Sequence, residues 1–181
     1  SRYQFKGKAF LLSFLLVTQM FPAVMKIIPY YKILVSVHLN NTQIGLMVVY
    51  ASFSIPFCTW MMYGYFKSIS TGLDEAARVD GSSAFNTFLK IILPIALPGL
   101  VATIIYAFLQ NWNEYMFASV LMSADEKKTI TYAISTMADA YKIQWNYLMC
   151  AAMISSVPTL TVFVVMQKYL IAGMTAGAVK E

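Results

Sequence analysis

Four uncharged apolar runs divide this chain, and they limit its fold more than any other feature. Ala9–Met25 follows a basic start made of Arg2, Lys6 and Lys8. Ile44–Phe66 ends at Lys67, and Ile143–Gln167 ends at Lys168. Between them, Ile91–Asn113 is interrupted by Glu114 and resumes from Tyr115 to Ala124. A helix that crosses a bilayer needs about 20 mostly apolar residues, because no water is there to satisfy its backbone. Each run meets or nearly meets that length. The expected fold is all-α, a polytopic transmembrane helical bundle forming a single domain over 1–181. Its spans fall at about 9–25, 44–66, 91–113 and 145–167, with a polar loop at 67–90. Lys26–Gln43 is expected to hold an interfacial helix and loop, with Pro29 as a break and Asn40-Asn41 as a turn.

Composition supports the same class. Of 181 residues 59% are apolar and only 12% charged, where soluble domains carry about 25% charge. A soluble fold of this size lacks the charged surface it would need. The net charge of +5 does not point to nucleic acid, because the basic residues sit at the ends of apolar runs and form no basic motif. Cys58 and Cys150 lie far apart inside apolar runs and read as small buried hydrophobes. The single His38 rules out a histidine metal cluster, and no catalytic triad or paired catalytic residue is legible. The chain therefore reads as a non-enzyme. The first run has no small-residue cleavage site, so it does not read as a removable signal peptide.

Charge placement sets the expected orientation. With the amino end cytoplasmic, the inner loops carry Arg2, Lys6, Lys8, Lys67, Arg78, Lys90, Lys168 and Lys180. The outer loops then carry Lys26, Lys32, Lys127, Lys128 and Lys142. The excess lies inside and close to helix ends, where the positive-inside rule acts, so both termini are expected in the cytoplasm.

The polar loop has its own local logic. Thr71 and Asp74 have the spacing of a capping box that would start a short helix near Gly72 or Leu73. Asp74 and Glu75 suit the positive end of that helix. Leu73, Ala76 and Ala77 share a face, and Gly81 suits a left-handed C′ position. Ser82 or Ser83 is placed to cap a second helix with an apolar face of Phe85, Phe88, Leu89 and Ile92. Pro94 and Pro98 should bend the span that follows. Composition alone is satisfied by a solvated hairpin between two spans.

A longer pattern speaks for docking. EAARVDGSSAFNTFLKIILP, Glu75 to Pro94, resembles the cytoplasmic EAA loop of bacterial ABC importer permeases at Glu75, Ala76, Ala77, Gly81, Ile91, Leu93 and Pro94. The ending QKYLIAGMTAGAVKE, with Gly173, Thr175, Ala176, Gly177 and Lys180, resembles the carbohydrate permeases of the maltose type. TQMFP and NWNEYMFA are similar to that subgroup too. The resemblance implies the type-1 transmembrane domain of these transporters, with four of the usual six spans, in a bacterial inner membrane. It implies that Glu75, Ala76, Ala77 and Gly81 dock an ATPase subunit. Implied partners are a second permease chain, two ATPase subunits and an extracellular solute-binding protein, beside membrane lipid. With no GxxxxGK[ST] phosphate loop here, ATP is expected on the partner subunits and no cofactor on this chain. The implied cargo is a sugar or oligosaccharide. The same fold carrying a polyamine, phosphate or oxyanion is the alternative, and an ATP-independent carrier or channel is a weaker one.

One polar-aromatic cluster interrupts the third run. Asn111, Asn113 and Glu114 are candidates for the solute path, since intramembrane polar groups usually face the bundle interior or a watery cavity. Amides and a carboxylate bind hydroxyls, and Trp112 can stack on a sugar face. The competing reading puts Glu114 at the outer headgroups with Trp112 and Tyr115 as belt aromatics. Helical spacing makes Asn111 and Glu114 neighbours and turns Asn113 elsewhere.

Overall fold

A computed structural model describes residues 1–138 and 144–178, with side chains described through residue 169. Two of its helices, Gln43–Ser68 and Trp145–Tyr169, are long and apolar enough to cross a membrane. Two bent pairs of helices bring the number of candidate crossings to four. The architecture is the expected polytopic helical bundle.

The first bent pair corrects the sequence reading. Helix α1, Lys8–Met20, stops short of Met25, and α2, Ala23–Ser36, leaves it at 102°. The break sits at Pro22 rather than Pro29. Proline drives the residue before it out of the helical region, and Phe21 is extended at φ −74°, ψ 126°. Pro29 lies well inside α2, where it costs the hydrogen bond to the Met25 carbonyl. Packing offsets that loss. Leu34 is buried, and Tyr30 meets the rings of Phe53 and Phe117 edge-on, at 6.2 and 5.8 Å.

After α2 the chain turns with His38 at φ 57° and Asn41 at φ 52°. The Asn41 side chain accepts hydrogen bonds from Ser123 and Ala124 N–H at 3.1 and 3.2 Å. Asn40-Asn41 is thus a turn, as expected, and it ties two distant loops together. In the second of these loops Lys128 lies 2.6 Å from Asp125, and its hydrogen bond and charge hold the Asp125 carboxyl below the ordinary range. That pairing persists at neutral pH and opens only as acid protonates Asp125.

Helix α3, Gln43–Ser68, starts at Thr42, whose hydroxyl accepts the Gly45 N–H at 3.0 Å. It packs on α7, Leu97–Trp112, where the rings of Phe57 and Tyr106 stack at 4.1 Å. Helix α4, Gly72–Val79, and α5, Ala84–Thr87, form the polar loop. A π-turn at Phe88–Ile92 and the short α6, Leu93–Ile95, carry the chain back toward the membrane. The axis then bends by 70° into α7, beside Pro94 and Pro98 as expected. Helix α8, Met116–Leu121, packs on α2 and α3; α9, Ile130–Thr136, packs on α10, Trp145–Ala178, which runs along α7.

The core is divided between the two ends. Leu34, Val49, Phe117 and Met122 close one end, while Ile69, Ile92 and Ala96 close the other beneath Tyr65. Helix α1 buries none of its residues, and the large apolar side chains of α10 are mostly exposed. Such faces need lipid or another chain against them. Cys58 is half-buried, but Cys150 is exposed on that face of α10, where it was expected to be buried. Trp60 donates its indole N–H to the Leu12 carbonyl at 3.2 Å and joins α3 to α1.

Candidate functional site: the polar hairpin and the outer polar cluster

The hairpin between α3 and α7 is built around one reversal of direction. Helix α4 ends with the Ser82 N–H bonded to the Ala77 carbonyl at 2.9 Å and the Gly81 N–H to the Arg78 carbonyl at 3.0 Å. Gly81 sits at φ 77°, and this pair of bonds is the Schellman closure. The Ser83 hydroxyl then accepts the Asn86 N–H at 3.3 Å and starts α5. Thr87, which sequence reasoning passed over, is buried and bonds the Ser82 hydroxyl at 3.2 Å and the Ser83 carbonyl at 3.0 Å. Its hydroxyl braces the corner between the two arms.

The start of α4 differs from the expected capping box. Thr71 is helical at φ −70°, ψ −22°, whereas a side-chain cap needs an extended residue. Its carbonyl takes the Asp74 and Glu75 N–H groups at 3.0 and 3.2 Å, and its hydroxyl caps nothing. The Asp74 carboxylate turns away to Arg2, 3.0 Å distant.

The four hairpin residues singled out from sequence do not share one surface. Glu75, Ala76 and Gly81 are exposed, while Ala77 is 3% exposed and packed inside the hairpin. The expected apolar face of the second arm also divides. Ile92 joins the inner core, while Phe85 is 71% exposed and Phe88 and Leu89 are partly open. With Val79, 88% exposed, they give the hairpin an apolar rim around its charged turn. Behind that rim lies a cavity of about 420 Å³ lined by Arg2, Asp74, Glu75, Arg78, Thr87 and Phe88.

At the opposite end, Asn111 and Glu114 face α3, as their spacing implied. The Asn111 amide donates to the Ser54 hydroxyl at 3.0 Å and to the Ala107 carbonyl at 2.7 Å. Tyr50, one turn before Ser54, donates its hydroxyl to the Glu114 carboxylate at 2.7 Å. The same carboxylate accepts the Phe117 and Ala118 N–H groups at 2.8 and 3.1 Å and so starts α8. Thr131 donates to the Glu114 carbonyl at 2.7 Å. Asn113 is exposed and returns its amide to the Leu109 carbonyl at 2.9 Å. Trp112 points to α10 and donates its indole N–H to the Ser155 carbonyl at 3.1 Å, within the turn disturbed by Pro158. Tyr50, Ser54 and Thr131 were not anticipated. The i, i+4 pair of hydroxyls on α3 was the one available signal.

Known proteins resemble this chain over nearly its whole length. A Bacillus subtilis relative described as a probable ABC transporter permease, YurM, is 37% identical over 180 residues, covering 99% of this chain and 60% of the relative. The trehalose/maltose transport system permease protein MalG of Thermococcus litoralis is 33% identical, covering 99% of this chain and 65% of the relative. Among solved structures, a bacterial ABC transporter involved in import of the acidic polysaccharide alginate contains a chain with a TM-score of 0.74 and 26% identity. That match covers 93% of this chain and 64% of the other. The chain thus spans roughly two-thirds of the length of the proteins it resembles. The model of the family described as binding-protein-dependent transport system inner membrane component matches residues 1–176, and the chain belongs to that family.

Proposed function

We propose that this chain is the permease subunit of an ATP-driven importer, and that its hairpin is where the ATPase docks. The observation that carries the proposal is the exposed Glu75-Ala76 pair on α4, followed by the reversal at Gly81 (φ 77°) and rimmed by Val79 and Phe85. A short helix with an apolar rim suits a groove on a partner. Both arms run directly into membrane helices, α3 on one side and α5 to α7 on the other. When ATP closes the ATPase pair, displacement of the hairpin is delivered to both, and the bundle opens to the outside. The uncovered faces of α1 and α10 fit a second permease chain as well as lipid. An extracellular binding protein supplies the solute, and both termini of this segment lie in the cytoplasm.

The cargo is a sugar or oligosaccharide. Relatives described as trehalose/maltose and sulfoquinovosyl glycerol permeases, and the alginate transporter, favour that class over polyamines or oxyanions. Asn111, Asn113 and Glu114 are assigned to the solute path. Asn113 offers an exposed amide, and Asn111 and Glu114 set the wall formed by α3 and α7.

Two outcomes are expected. Glu75→Lys reverses a charge worth about 0.3–1 kcal/mol in the first turn of a helix. Co-purification of the ATPase should fall roughly two- to fivefold, and transport with it, while membrane insertion stays normal. Equal co-purification and transport in the variant would remove the docking assignment. A hydrogen bond from Asn111 to solute is worth about 0.5–1.5 kcal/mol, so Asn111→Ala should lower solute affinity by up to roughly tenfold. Half-maximal uptake should need correspondingly more solute with assembly intact. Parental uptake curves in both Asn111→Ala and Glu114→Gln would take these residues off the path.

A further inference from the structure

The Arg2 guanidinium reaches across 67 residues of sequence to the base of the hairpin. Its Nη1 donates to the Ile69 carbonyl at 2.9 Å and its Nη2 to the Ser70 carbonyl at 3.2 Å. Its Nε pairs with the Asp74 carboxylate at 3.0 Å. Helix α3 ends at Ser68 and Ile69 is extended, so these two carbonyls lie beyond the helical ladder and need an outside donor. Two hydrogen bonds and one charge pair, without hydrogen-bond geometry, from a single planar fork therefore hold the end of α3, the connecting turn and the first turn of α4. A lysine, with a single point of donation on a flexible stem, has no equivalent.

The other end of the same segment is fixed as well. Lys8, the first residue of α1, donates to the Ser1 and Tyr3 carbonyls at 3.2 and 3.3 Å and lies 5.5 Å from the Tyr63 ring centre on α3. A closed path of contacts thus runs from α4 through Asp74 and Arg2 to Lys8 and α1. The Arg2 and Asp74 side chains are only 19% and 24% exposed, so solvent screens this pair less than an open surface pair. Glu75 and Arg78 are the other charged groups lining the cavity beside it.

We infer that Arg2 is a positioning residue that clasps the segment leading into α1 onto the hairpin, so that hairpin displacement reaches α1 through this side chain. Among the described residues, α1 also packs on α3, which leads into the hairpin. The inference rests on the docking role proposed above. It adds α1 to the helices driven directly by the ATPase and makes the clasp a determinant of coupling.

The test uses the full-length permease in the assembled transporter, reconstituted in vesicles. Spin labels at Val17→Cys on α1 and Asn86→Cys on α5 of the hairpin, both exposed positions, in a chain whose Cys58 and Cys150 are replaced by serine, report the distance between the two elements. With Arg2 present, that distance should stay narrow and unchanged when ATP is added. Arg2→Ala should broaden it and raise the ATP hydrolysed per solute moved about fivefold, the lower range of typical site-to-site coupling. Arg2→Lys should fall between, and the exchanged pair Arg2→Asp with Asp74→Arg should recover part of the ratio. A purely structural role would lower the amount of assembled transporter without changing the ratio in what remains. Parental distance and parental ratio in Arg2→Ala would overturn the clasp. Failure of the docking role has a separate signature, which is normal ATPase binding and transport in Gly81→Val.

Discussion

Gly81→Val is expected to abolish transport while the protein still reaches the membrane. Nothing lies within 4 Å of where a Cβ would stand at Gly81, so crowding is not the cause. The cause is the backbone, held at φ 77° by the two bonds that close α4. A left-handed conformation costs an ordinary side chain about 1–2 kcal/mol, and a β-branched one fares worse. At about 1.4 kcal/mol per factor of ten, most of the hairpin population would leave the docking shape. Gly81→Asn supplies the control, because asparagine tolerates this region far better. Solute uptake and ATPase co-purification, normalised to permease in the membrane, should be near parental in Gly81→Asn and lost in Gly81→Val. Equal loss in both would mean that side-chain bulk, and not backbone shape, matters at the turn.

Gly99→Val should destabilise the bundle strongly, for the opposite reason. Gly99 is buried where α7 crosses α3, and a Cβ there would run into the ring of Tyr65. The ring cannot simply withdraw, because Tyr65 also packs over Ile69, Ile92 and Ala96 at the base of the hairpin. Forcing atoms into a filled contact costs typically 1–3 kcal/mol, and here it also separates the helices that carry the hairpin. The purified variant should melt several degrees lower and show reduced ATPase binding. Tyr65→Ala in the same chain makes room, and the double variant should recover part of the loss. An unchanged melting temperature in Gly99→Val alone would show that the two helices do not meet this closely.

The membrane class and the hairpin were legible because each rests on local chemistry. Uncharged runs of membrane length, a glycine after a short amphipathic segment and a serine before the next are all signals within a few residues of their effect. The bend at Pro94 and Pro98 followed from the same local rules. What was misjudged depended on distant partners. Both Pro22 and Pro29 are proline signals, and only the packing of Tyr30 and Leu34 against α3 and α8 decided that the chain breaks at the first. Thr71 and Asp74 have the spacing of a cap, but the guanidinium of a residue 72 positions earlier takes the carboxylate. Glu114 announced itself as a charge interrupting an apolar run, yet its partners on α3 and α8 were not readable from its neighbours in sequence. Phe85 and Phe88 look like core from periodicity, yet they lie exposed on the rim of the hairpin.

The central claim is that the exposed turn of the hairpin meets the ATPase, and crosslinking from Ala76→Cys tests it most directly. Ala76 is exposed beside Glu75, while Ala77 is buried within the hairpin. In the assembled transporter, a short bifunctional reagent should join Ala76→Cys to the ATPase subunit, with a yield that changes when ATP closes the ATPase pair. Ala77→Cys should give little product under the same conditions. A transporter that moves solute normally yet yields no ATPase crosslink from Ala76→Cys, with or without nucleotide, would contradict the account.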